Sequence, residues 1–281
     1  MRRKIATWVS TMKDLSNIAY GMKSASNDLE HVVKELKDIY KCNVHILHDS
    51  VNQFKALYFS TDFMRRAIKS WPEFVSVDGT YKLLNLGFTV FIMLVEDSNG
   101  QSEIAAVALT AHEDKETFSW FMNIFKEENS ICENQIKCFM GDKDLLQRNV
   151  IKEIFPQAQV YICLFHTLKT MKREMCKEKM NLTNQERMKT LELLQNLVYS
   201  GSEEEYDRNY QLLQETASQL VINYYNKNWH DIKHEWTVYS MCHGNLLNRT
   251  NNRLEAINGK LKQVIEKNSS FPHNNDVRIM F

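Results

Sequence analysis

Three acidic residues stand in contexts that suit metal chemistry. Asp78 follows the apolar run 74–77, Asp142 follows the run 136–140, and Glu255 lies in a predicted C-terminal helix. Carboxylate oxygens are the ligands that a hard cation such as Mg²⁺ prefers. Two such ions about 3.5–4 Å apart can activate an attacking oxygen and stabilise a leaving one. The three carboxylates together predict a site for metal-assisted phosphoryl transfer on nucleic acid.

Two of these acids also have a structural explanation. Asp78 precedes Gly79, and an Asp-Gly pair is typical of turns. Glu255 stands three positions after Asn252, and the two would form a helix capping pair. Taken singly, Glu255 is better explained by capping. The metal hypothesis depends on the three acids as a set.

The second aspartate has a close competitor. Asp144 with Gln147 fits a helix N-cap and its capping box, which is a structural role. Asp142 directly follows the predicted strand, so we prefer Asp142 as the metal ligand.

A Cys-Leu-Phe-His segment, Cys163 to His166, follows the last predicted strand. A closed zinc site would need four ligands, and the remaining candidates, Cys242 and His243, are adjacent in the chain. A buried cysteine beside a partly satisfied histidine explains the segment better, and we expect no structural zinc in this chain. Such a histidine at the rim of a metal site would orient a phosphate or a water.

Composition limits the class of protein. The 281 residues include 35 basic and 35 acidic ones, 43% are hydrophobic, and only 8 are Gly and 3 Pro. These values are typical of one or two globular domains without long linkers. Six cysteines without paired C-x-x-C spacing favour an intracellular protein with reduced thiols. No stretch reaches the roughly 18 apolar residues of a membrane span, so no membrane partner is expected.

The zero net charge is weak support for a strong nucleic-acid binder, but two segments are locally basic. They flank the predicted site and are equally well explained as solvated helix faces. The residues that we predict to contact DNA phosphates are Lys82, Lys169, Lys172, Arg173, Arg253 and Lys260.

Hydrophobic periodicity predicts helices over 1–40, 61–70 and 114–128, and a hairpin of two strands over 44–59. Three further strands are predicted over 74–109, a fourth over 136–140 and a fifth over 159–163, with a helix between the last two. From His166 to about Trp236 no strand signal occurs, and pairs such as Thr183 with Glu186 predict helix starts. We therefore expect an inserted helical block before a last helix that begins near Asn252.

In this order, the segments Val-Asp-Gly-Thr-Tyr-Lys (77–82), Gly-Asp-Lys-Asp (141–144), Phe-Pro-Gln-Ala (155–158), Cys-Leu-Phe-His (163–166) and Asn-Asn-Arg-Leu-Glu-Ala-Ile-Asn (251–258) resemble a Mutator-like (MULE) transposase domain. The nearest form is the one carried by SWIM-type zinc finger proteins, of the RNase H-like DDE superfamily. The resemblance covers roughly residues 54–265.

The resemblance implies an α/β fold with an RNase H-like mixed five-stranded sheet flanked by helices, and an all-helical block inserted before the last catalytic helix. It implies an N-terminal helical and hairpin segment over 1–60, the first part of the core over 61–166, the insertion over 167–245, and a C-terminal helix over 246–281 that completes the core.

The resemblance also implies a catalytic, metal-binding triad of Asp78, Asp142 and Glu255, with Cys163 and His166 as an accessory C-x-x-H motif. The implied chemistry is two-metal cleavage and transfer of DNA strands with Mg²⁺ or Mn²⁺, in the nucleus.

The sequence departs from the family in two ways. Gly141 stands where relatives often carry Thr or Ser, and no SWIM motif or N-terminal zinc-binding DNA reader is evident. A domesticated copy, a fragment or a transposon remnant is therefore expected, and enzymatic activity stays open. The alternative function is a non-catalytic nuclear module that binds DNA or protein partners, and oligomers are compatible with either function.

Overall fold

The computed structural model describes residues 25–80, 88–131 and 133–243. The strands are β1 (Asn43–His48), β2 (Phe54–Ser60), β3 (Phe74–Thr80), β4 (Thr89–Glu96), β5 (Ser102–Thr110), β6 (Cys138–Gly141) and β7 (Gln159–Ile162). The helices are α1 (Ala25–Asp38), α2 (Asp62–Ser70), α3 (Lys115–Glu128), α4 (Leu145–Ile154), α5 (Leu164–Glu174), α6 (Lys177–Met180), α7 (Asn184–Tyr199), α8 (Glu203–Thr216), α9 (Gln219–Asn228) and α10 (Val238–His243). Two short 3₁₀ helices span Glu133–Gln135 and His230–Glu235.

The strands form one mixed sheet in the order β1-β2-β5-β4-β3-β6-β7. In this order, neighbouring strands from β1 through β2, β5 and β4 to β3 are antiparallel. The neighbours β3, β6 and β7 are parallel. The mixed α/β fold is therefore confirmed, but the predicted count of five strands is wrong. Among the described residues the sheet has seven strands, because β2 pairs with β5, Ala56 opposite Thr110 and Phe59 opposite Val107. The predicted hairpin thus extends the sheet.

Local signals explain where several helices begin. The side chains of Asp114 and Asp144 accept hydrogen bonds from the backbone amides of the residues three positions on, at the starts of α3 and α4. Thr183 and Glu186 form the reciprocal capping box predicted for α7. Each cap satisfies amides that the first helical turn leaves without an intrahelical partner.

Side-chain alternation gives the sheet two buried faces. Val75, Val77 and Phe139 pack on one face with α3 and α4. Cys138, Met140 and Tyr161 pack on the other face, with helices α5 and α7 to α10. A separate apolar cluster on the β2-β5-β4 part of the sheet includes Leu36 of α1.

Residues 164–243 contain helices and no strand, in keeping with the predicted helical block. The predicted domain boundaries stay predictions, and the one between residues 245 and 246 lies outside the described residues. No helix within the described ranges is long and apolar enough to cross a membrane.

Candidate functional site

The first two acids of the predicted triad lie at neighbouring parallel strands, Asp78 within β3 and Asp142 directly after β6. β3 pairs with β6 in a register that joins Phe74 to Cys138 and Ser76 to Met140. Continuing this register by two residues places Asp142 beside Asp78. In a parallel pair, partners at one level project from the same face of the sheet. The fold therefore brings these two carboxylates together at the carboxyl ends of the two strands.

Asp78 is not a turn residue. It lies within β3, opposite Ile92 of β4, and Gly79 is opposite Phe91. The turn explanation of the Asp-Gly pair is therefore wrong. The glycine has a packing reason instead, because a Cβ at Gly79 would lie 2.7 Å from Cε1 of Phe91. Asp78 itself is half-buried, as a ligand at the rim of a core would be.

Asp142 is exposed at the end of β6. Its Oδ1 accepts a hydrogen bond of 2.6 Å from the backbone amide of Lys143. Two residues later, Oδ1 of Asp144 accepts from the amide of Gln147 at 2.8 Å and caps α4. The prediction that Asp144 has the capping role is confirmed, and Asp142 remains the candidate ligand.

The Cys-Leu-Phe-His segment lies at the same edge of the sheet. β6 pairs with β7 so that Gly141 faces Ile162, and the amide of Cys163 donates to the carbonyl of Gly141 at 2.9 Å. The next register position places Cys163 beside Asp142. Cys163 is fully buried at the N-terminus of α5, and His166 lies half-buried in the first turn of that helix.

The environment of His166 ties these residues into one site. A hydrogen bond with Cys163 raises the pKa of His166 to about 9. Burial acts in the opposite direction, and the carboxylates of Asp142 and Asp78 add to the rise. The imidazole is therefore close enough to both aspartates to sense their charge. At neutral pH it is a cation that offsets part of their negative charge.

Lys143 is a residue of this site that the sequence interpretation missed. Its Nζ lies 3.8 Å from the centre of the Trp229 ring, a cation–π contact between the Asp142 segment and the helical block. Burial, and then the nearby charge of Arg148, lower the pKa of Lys143 to about 8. The only available signal was its position directly after Asp142, since the chain does not show that Trp229 lies nearby.

The predicted phosphate contacts are described only in part. Lys169, Lys172 and Arg173 are exposed on α5, the helix that carries His166. Nε of Arg173 is paired with Glu174 at 2.9 Å, whereas Nζ of Lys169 lies 5.4 Å from the Phe165 ring. The other predicted contacts lie outside the described residues: Lys82, Arg253 and Lys260.

The third acid of the triad, Glu255, also lies outside the described residues. Within the described ranges, no group of three or more His, Cys, Asp or Glu side chains is arranged to hold a metal ion. The pair Asp78 and Asp142 nevertheless fits a hard divalent cation. Both supply carboxylate oxygens, the ligand type that such a cation prefers, and both carboxylates add to the raised pKa of His166.

Comparison with known families agrees with this fold. Residues 34–161 match the family described as Zinc finger SWIM domain-containing protein 1/3, RNaseH-like domain. The matched region runs from α1 into β7 and includes Asp78 and Asp142. The mixed sheet flanked by helices is the architecture expected for that domain. Residues 34–161 are therefore a ZSWIM-type RNase H-like domain with a nuclease-like fold.

Proposed function

We propose that this chain is a transposase-derived domain in which Asp78, Asp142 and Glu255 hold two Mg²⁺ or Mn²⁺ ions for cleavage and transfer of DNA strands in the nucleus. The observation that carries the proposal is the parallel register of β3 and β6, which, continued by two residues, brings Asp142 to the level of Asp78. Such ions, when bound, activate an attacking oxygen and stabilise a leaving one.

The described residues have distinct parts in this proposal. Asp78 and Asp142 supply oxygen ligands from rigid strand ends, which fixes their separation. His166, cationic at neutral pH, donates a hydrogen bond to a phosphate oxygen or a water at the rim of the site. Lys169 and Lys172 continue from His166 along α5 and attract the DNA backbone.

A second function, a non-catalytic module that binds DNA or protein partners, is favoured by one observation. The chain has no net positive charge, with 35 basic and 35 acidic residues, and this balance favours a protein partner over DNA. Such a module would use the same fold without metal chemistry, since a fold does not fix a function.

A strand-cleavage assay on end-labelled duplex DNA with Mn²⁺ separates the two functions. Asp142→Asn should abolish cleavage, because it removes a charged oxygen ligand. Asp144→Asn is the matched control, since Asn caps a helix as well as Asp, and it should cleave as the wild type does. DNA binding without cleavage by the wild type, unchanged in Asp142→Asn, would favour the non-catalytic module.

A further inference from the structure

Three cations, in the segment that carries Asp142 and in the helix α4 that follows it, connect this part of the chain to the helical block. Nζ of Lys143 lies over the Trp229 ring. Further along α4, Arg148 forms a buried ion pair with Glu235, and Nζ of Lys152 lies 2.6 Å from Oε1 of the same carboxylate. All three contacts end on the short stretch 229–236. The position of the Asp142 segment therefore depends on this part of the helical block.

Trp229 is a firm anchor for such a contact. It is 1% exposed. Its Nε1 donates to the hydroxyl of Tyr224 at 3.3 Å, and its carbonyl accepts from Nε1 of Trp236 at 3.0 Å. The two indole rings also pack edge to face, with centroids 5.6 Å apart. Because these contacts fix the Trp229 ring, the ring sets the position of the Lys143 ammonium.

Lys143 passes this constraint to the neighbouring carboxylate. Its backbone amide donates to Oδ1 of Asp142 at 2.6 Å. Because the ammonium of Lys143 is held at the ring, the backbone of Lys143 is restricted. Its amide in turn restricts the direction of the Asp142 carboxylate. We propose that Lys143 and Trp229 are positioning residues for the metal ligand Asp142, so that the helical block sets the metal affinity of the sheet edge. This inference rests on the proposed metal function.

A positioning role and a purely electrostatic role of Lys143 predict opposite results for one substitution. Lys143→Met keeps the length of the side chain but removes the cation. If Lys143 acted only as a charge, its loss would relieve repulsion and tighten the binding of a divalent cation. If it positions Asp142, its loss weakens binding. Lys143→Arg keeps both the charge and the stacking on the ring, so it should restore the wild-type behaviour.

Two measurements on the full chain test the inference. The first is hydrogen exchange of the residue 143 amide in metal-free protein, followed by ¹⁵N NMR. The second is Mn²⁺ affinity by titration. Lys143→Met should exchange faster and bind Mn²⁺ about three- to thirtyfold more weakly, the range expected for a cation–π contact. Trp229→Phe, which keeps an aromatic ring in the core, should change both readouts less.

Lys233→Met is the matched control. Lys233 lies in the stretch 229–236, but its side chain contacts α8: its Nζ lies 4.8 Å from the centre of the Tyr206 ring, a cation–π contact, and pairs with Glu203 and Asp207. Its loss should leave both readouts unchanged. Unchanged exchange in Lys143→Met would overturn the inference, as would Mn²⁺ binding that is equal or tighter. Faster exchange in a chain whose wild type binds no Mn²⁺ would support the positioning contact and refute the proposed metal function.

Discussion

Asp78 and Asp142 are separated along the chain by 64 residues, the offset that also separates the paired residues of β3 and β6. The second aspartate therefore comes to the level of the first through the register of two buried strands. A shift of one residue in that register would move Asp142 to the opposite face. Apolar partners on both faces, such as Val75 with Phe139, oppose such a shift.

We expect the pKa of His166 to report on the site directly. Cys163→Ala should lower it from about 9 most strongly, because the hydrogen bond with Cys163 is the largest cause of its rise, and Asp142→Asn should lower it less. Imidazole NMR titration checks both. An imidazole pKa near 6.5 in the wild type, unchanged by either substitution, would contradict this arrangement.

The same raised pKa makes a prediction about stability. A histidine whose pKa is raised on folding binds its proton more tightly in the folded state. Its contribution is therefore complete below a pH of about 6.5 and is lost as the pH rises through about 9. Urea unfolding should show that the deficit of His166→Gln relative to the wild type shrinks over this range. A deficit that grows with pH would contradict the prediction that folding raises the pKa of His166.

The carboxylate of Glu235 should contribute much more to stability than an exposed one. Glu235→Gln leaves Arg148, which is 5% exposed, without its counter-charge, and breaking a buried pair costs about 3–5 kcal/mol. The matched control is Glu203→Gln, which removes an exposed pair with Lys233 at 2.9 Å and should cost about 0–1 kcal/mol. Urea unfolding measures both. Equal losses of stability would contradict the claim that the buried pair of Arg148 with Glu235 holds α4 more strongly than an exposed pair would.

Gly79 should not tolerate a side chain. Gly79→Ala would bring its Cβ within 2.7 Å of Phe91, whose ring is 1% exposed and has little room to move. Overpacking of this kind costs about 1–3 kcal/mol. Gly201→Ala is the control, because its Cβ would lie 3.4 Å from Oε2 of Glu205, an ordinary contact. Thermal unfolding should separate the two variants, and equal midpoints would refute the close approach.

Much of the fold follows from local signals. Asp114, Asp144 and Thr183 mark helix starts that the structure confirms. The role of the hairpin could not be predicted in this way. Its strand β2 pairs with β5, Ala56 opposite Thr110, and nothing in either segment specifies a partner so distant in the chain.

The candidate site was predictable to a similar extent. Asp78, Asp142 and His166 follow apolar runs that end at one sheet edge, so their types and positions were informative. The Asp-Gly pair misled, because the glycine serves packing against Phe91. Lys143 was missed because its partner, Trp229, lies in another part of the fold. Contacts of this kind depend on tertiary packing and leave no local pattern.

The basic surface of α5 should carry part of any DNA affinity. The double variant Lys169→Gln with Lys172→Gln should weaken DNA binding and reduce the slope of log affinity against log salt by about 2. Lys115→Gln is the control. Lys115 is 64% exposed at the start of α3, on the opposite face of the sheet, and pairs with Glu153 at 3.0 Å. A salt slope unchanged by the double variant would place the DNA elsewhere.

Thermal melting with and without Mn²⁺ tests the central claim most directly, on the wild type, Asp78→Asn, Asp142→Asn and Asp144→Asn. With Mn²⁺ at about a hundredfold excess over its Kd, the wild type and Asp144→Asn should melt about 5–10 °C higher. Asp78→Asn and Asp142→Asn should lose that rise, because each removes a ligand. No rise in the wild type, or an equal rise in all four proteins, would contradict a metal site formed by Asp78 and Asp142.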